Sequence, residues 1–137
     1  MTDNSKNRKA ESPDLERLGK ARAALLALHR ALIASERIEY ERLHGRVESS
    51  GEMLKLVMGD PWFAWLRPLA ETIVQLDEML DQDEAPTPAD VSQLVTQVRA
   101  LIVNAASEAE FGKRYQAALQ RDPDVVIEHG RAVKALQ

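Results

Sequence analysis

Four times in this chain a residue able to cap a helix stands directly before a proline: Ser12-Pro13, Asp60-Pro61, Thr87-Pro88 and Asp122-Pro123. A Ser, Thr or Asp side chain accepts hydrogen bonds from the free N–H groups of a first helical turn. Proline suits the first helical position, where its missing N–H would have no partner anyway. Each pair is followed by apolar residues at helical spacing, so the chain divides into helices with marked beginnings. No strand-like alternation competes with this pattern, and no internal repeat is present. The sequence therefore predicts an all-α antiparallel helical bundle. It has three long helices, the second broken near Gly59 and kinked at Pro68, and a short C-terminal helix.

The 137 residues amount to about one domain. Residues 1–11 are polar and read as a disordered tail; residues 12–137 read as a single bundle. In the first helix Leu15, Leu18, Arg22, Leu25, His29, Leu32, Glu36, Tyr40, Leu43 and Val47 step by threes and fours. Gly45 or Ser49-Ser50-Gly51 should end it. A short apolar helix over residues 52–58 follows. The helix after Asp60-Pro61 carries Trp62, Leu66, Leu69, Ile73, Leu76 and Leu80, and Pro68 inside it predicts a kink. Asp81-Gln82-Asp83-Glu84-Ala85-Pro86 is the clearest loop. The third stripe runs Val91, Leu94, Val95, Val98, Leu101, Ile102, Ala105 and Ala109, and Phe111, Tyr115, Ala118 and Leu119 extend it towards Gln120.

Composition narrows the function. The absence of cysteine removes disulfides, thiolate metal sites and cysteine nucleophiles, and fits a cytoplasmic protein. Eighteen basic and 22 acidic residues give a net charge of −4, which argues against nucleic acid as a partner. No apolar run approaches the ~20 residues needed to span a bilayer, so no membrane partner is expected. Glycine-rich phosphate loops, G-x-S-x-G and H-E-x-x-H are missing, and nothing orders the serines and histidines into a nucleophile and base.

Two groups of residues stand out. Trp62, Phe63 and Trp65 are half of the six aromatic Trp, Tyr and Phe side chains. Together with Val74 they form the expected partner-binding surface. Trp62 and Trp65 fall on the core face, and Phe63, about 100° further round an α-helix, is turned outward. The second group is His29, Glu36, Glu41 and His44. Glu41-x-x-His44 has the spacing of bundle metal sites, but a ferritin-like centre needs a second such motif, and the chain has none. His29 and Glu36 are two turns apart, about 10 Å, too far to share an ion easily. A small-ligand pocket lined by Tyr40, Trp62 and Trp65 is a third possibility.

The stretch LHRALIASERIEYERLHGRV followed by DPWFAWLRPLAETIVQLDE resembles conserved hypothetical proteins of bacteria, chiefly proteobacteria. The resemblance covers about residues 25 to 80, and its most specific run is D-P-W-F-A-W-L-R-P-L. It implies a bacterial helical protein and lends no catalytic or binding residue.

The functional expectation is a non-enzymatic helical bundle that acts through protein–protein contact, including self-association as a homodimer, with no cofactor. The alternative is a metal- or cofactor-binding four-helix bundle, hemerythrin- or ferritin-like in architecture only. There His29, Glu36, Glu41 and His44 would hold iron, zinc or manganese.

Overall fold

The computed structural model describes residues 13–103 and 109–137. The expected tail, the Ser12 cap, Ala105 and Glu108 lie outside the described residues. Those described form six α-helices and one 3-10 helix, with no strand among them: α1 Pro13–His44, α2 Ser50–Gly59, the 3-10 helix Pro61–Leu66, α3 Arg67–Asp81, α4 Pro88–Ile102, α5 Glu110–Arg121 and α6 Pro123–Ala135. No helix among them is long and apolar enough to cross a membrane.

The helix starts follow the cap chemistry. Asp60 accepts from the Trp62 N–H, Thr87 from the Asp90 N–H and Asp122 from the Asp124 N–H, with proline next in each case. Ser49 accepts from the Glu52 N–H and opens α2. Such caps contribute about 1 kcal/mol each. At the end of α1, Gly45 adopts φ +85° and donates its N–H to the Glu41 carbonyl at 3.0 Å. That left-handed turn is cheap for glycine and strained for other residues.

α1 is the spine, about 48 Å long at 1.5 Å per residue. Its buried residues are Leu18, Ala21, Leu25, Leu28, Leu32 and Ser35, with Glu36 beside them. These step alternately by three and four, the spacing of a seam that packs against neighbouring helices at a shallow angle. The seam is rotated from the sequence stripe, so His29 and Arg22 are partly exposed. α1 packs chiefly on α6 and then on α3. Leu69, Ile73 and Leu76 of α3, Val91, Leu94, Val95, Val98 and Ile102 of α4, Phe111, Tyr115 and Ala118 of α5, and Val125, Ala132 and Leu136 complete one core. Full burial of each leucine or valine contributes about 1.5–3 kcal/mol.

Two expectations change. The helix from Pro61 is not one element kinked at Pro68. Residues 61–66 wind as a 3-10 helix, and Pro68 sits in the first turn of α3, where its missing N–H removes no helical bond. Likewise the stripe after Thr87 is carried by two helices. Ala109 is extended, with φ −72° and ψ 147°, so helical hydrogen bonding does not run through it from α4 to α5.

Candidate functional site

The tight winding of residues 61–66 decides where the aromatic residues go. A 3-10 helix turns 120° per residue, so side chains three apart eclipse one another and form three rows. Pro61, Ala64 and Arg67 make the exposed row. Phe63 and Leu66 make a buried row, each 2 % exposed. Trp62 and Trp65 make the third, with Trp65 buried and Trp62 half-buried. Phe63 is therefore core and not an outward contact, as α-helical geometry had suggested. Its ring lies 5.7 Å from that of Tyr40. Trp65 faces Phe111 at 5.5 Å. Of the expected partner surface only Val74, at 52 %, is exposed. Trp62, Phe63, Trp65 and Val74 thus do not form one exposed patch.

The four metal candidates are also separated. Glu36 is 2 % exposed, and its carboxylate receives a hydrogen bond from Arg121 Nη2 at 2.9 Å. Arg121 Nε also donates to Ser35 Oγ at 3.0 Å, which ties α5 to α1. Glu41 accepts from the Val47 N–H at 2.8 Å and lies 3.5 Å from Arg37 Nε, whose guanidinium donates to the Val47 carbonyl. It organises the turn after α1. His44 is exposed, its ring tilted against that of Tyr40 at 4.5 Å. His29 is half-buried, and that burial lowers its pKa. Among the described residues no three His, Asp or Glu side chains converge on a metal position. The stripe of α1 contains Glu36, but its spacing does not reveal a partner 85 positions away.

Two features were not legible in the sequence. The first pairs a buried tyrosine with a half-buried histidine. Tyr115 is completely buried, and its hydroxyl lies 2.6 Å from His129 Nδ1. Burial raises the phenol pKa and lowers that of the imidazole, so each is biased towards its neutral form. The phenol and the imidazole share one hydrogen bond, whose direction follows the tautomer of the ring. Stacking of Phe111 on Tyr115 at 5.5 Å continues an aromatic row from Trp65 to His129.

The second is α2. Five of its ten residues, Met53, Leu54, Leu56, Val57 and Met58, are apolar, yet none of the ten is buried. Leu54 is 59 % exposed and Met58 is 73 % exposed. One turn apart on a helix, they share a face. Leu43, just before the turn into α2, is 70 % exposed. The other side of α2 leans on the 3-10 helix. Between α2 and the end of α1 lies a cavity of about 460 Å³, lined by Tyr40, His44, Arg46, Glu52, Lys55 and Asp60 among others. Of the aromatic residues suggested for a ligand pocket, Tyr40 lines this cavity, whereas Trp65 is turned towards Phe111. Arg114 covers Trp62 from 5.4 Å.

A scan against protein-family models, a search of curated proteins and a search of solved structures return no match to this chain.

Proposed function

We propose that this chain is a non-enzymatic helical bundle that works through protein contact, and that α2 carries the contact in a homodimer. The observation behind this reading is that α2 packs Met53, Leu56 and Val57 against the core while leaving Leu54 and Met58 exposed on its other face. Large apolar side chains gathered on an exposed face mark interaction surfaces more often than solvated ones. α2 carries one acid, Glu52, and one base, Lys55, so two copies meeting there bring together no net charge. Leu43, at the same end of α1, widens the surface towards the ~800 Å² per partner of a standard interface. The short connection over residues 82–87 favours an antiparallel arrangement of α3 and α4.

The non-enzymatic part rests on the buried ionisable groups. Glu36 is engaged by Arg121, and Tyr115 by His129. In each pair the two groups are engaged with each other, which leaves neither free there to act as a base or nucleophile. The likeness to conserved hypothetical proteins of proteobacteria fits a bacterial protein and assigns no activity.

The test is the mass of the untagged chain across a concentration series, by sedimentation velocity and native mass spectrometry, beside a Leu54→Gln/Met58→Gln variant. Both residues are largely exposed and glutamine is a good helix former, so the variant should keep its helicity and lose at most about 0.5 kcal/mol of stability per site. The wild type should form a dimer that weakens at least tenfold in the variant. A wild type that stays monomeric up to millimolar concentration, or a variant that dimerises equally well, refutes the reading.

A further inference from the structure

The opposite end of α1 carries a different surface. Arg17 and Lys20 lie three residues apart near the start of α1, and Arg131 and Lys134 three apart near the end of α6. Residues at that spacing share a helix face. α1 and α6 form the most extensive helix pair in the molecule, and all four cations line one cavity between them, of about 590 Å³. Its remaining lining is Pro13, Glu16, Ala135 and Gln137. Four cationic side chains thus face one acidic side chain, Glu16, in this lining, on a chain whose net charge is −4.

These cations are weakly neutralised. Glu16 lies 3.5 Å from Lys20, with both side chains more than 70 % exposed, a pairing that contributes little. Arg131 pairs with Glu128, which does not line the cavity. Lys134 has no carboxylate within salt-bridge distance among the described residues. Arg17 Nη2 donates to the Leu136 carbonyl at 3.0 Å, which fixes the guanidinium against α6, while its shielded Nε has no acceptor among the described residues.

We infer that this α1–α6 cavity binds a small soluble phosphate monoester. Two guanidinium forks and two ammonium groups suit an oxyanion that accepts several hydrogen bonds at once. A phosphate monoester carries roughly −1.5 to −2 charge near neutral pH, which answers the surplus positive charge better than one carboxylate does. The volume falls within the ~300–1,000 Å³ of small-molecule sites and exceeds what a phosphate alone fills. Pro13, Ala135 and the alkyl stems of the lysines and arginines leave an apolar wall for the body of the ligand.

The test is an amide ¹H–¹⁵N titration of the full chain with adenosine monophosphate, inorganic phosphate and adenosine. It is run at about 0.15 M salt, where charges more than ~8 Å apart are largely screened. Adenosine monophosphate and phosphate should shift the amides of Arg17, Lys20, Arg131 and Lys134 saturably, and adenosine should not. A Lys20→Glu/Lys134→Glu variant changes two exposed side chains. It should keep the wild-type spectrum elsewhere and bind adenosine monophosphate at least tenfold more weakly. No saturable shift, equal shifts at the remote Arg30, Lys55 and Lys113, or unchanged affinity in the variant each overturns the assignment.

Discussion

Arg121 holds α5 against α1 through a carboxylate that has little other contact with water, so its replacement by methionine should be among the most damaging single changes in the chain. The Glu36 side chain is 3 % exposed and that of Arg121 is 30 % exposed. Arg121→Met keeps a long side chain over the site but removes the bond to Glu36 Oε1, the bond to Ser35 Oγ and the nearby charge facing Glu39. What remains is a buried carboxylate without a counter-charge, a change that costs about 3–5 kcal/mol in comparable sites. The partial exposure of Arg121 places the expected loss near the lower figure, ~3 kcal/mol. For a chain of this size that lowers the melting temperature by roughly 10 °C. Adding Glu36→Leu removes the stranded charge and replaces it with an apolar side chain, so the double variant should recover at least ~1.5 kcal/mol relative to the sum of the single changes. Urea unfolding followed by circular dichroism gives all four corners of the cycle. A loss below about 1 kcal/mol for Arg121→Met, or single-variant losses that add to within ~0.5 kcal/mol, would show that the pair does not act as described.

Further outcomes follow from the geometry. Tyr115→Phe should cost about 1–2 kcal/mol, because it removes one hydrogen bond and leaves His129 Nδ1 without that partner; a loss under ~0.5 kcal/mol in urea unfolding would contradict the pairing. Stability should also fall at both ends of the pH scale. Burial holds His29 and His129 below their usual value, so their contribution is complete above about pH 6.5 and is lost as pH falls below it; Tyr115 is shifted upward, so its contribution is lost above about pH 10. A melting temperature flat from pH 7 to 5 would refute the acid limb. Gly45→Ala should cost about 1 kcal/mol through backbone strain alone, since an added Cβ meets nothing within 4 Å, and Gly45→Asn should cost less. Equal thermal stability for wild type and Gly45→Ala would refute that strain.

What the sequence discloses is local. Asp60, Thr87 and Asp122 act on N–H groups two or three residues ahead, and Gly45 acts on a carbonyl four residues behind, so their roles are visible in a short window. The outward placement of Phe63 failed because a wheel at 100° per residue does not describe a segment that winds at 120°. Arg121–Glu36 and Tyr115–His129 join different helices, and no spacing rule reaches across that separation. The exposure of α2 was hidden for a related reason. An amphipathic pattern shows that a face is apolar, but not whether the rest of the chain covers it.

The corner at Asp122 has a practical consequence. This one residue closes α5 through its N–H to the Ala118 carbonyl and opens α6 through its side chain, with no other residue between the two helices. An inserted residue there would separate those two roles and rotate α6, with His129 and Lys134, relative to the spine. Between α3 and α4, by contrast, Gln82, Asp83, Glu84 and Ala85 are all exposed and non-helical. A fluorophore, an affinity handle or a permuted chain end belongs in that loop, which leaves both ends of α1 unaltered for measurement.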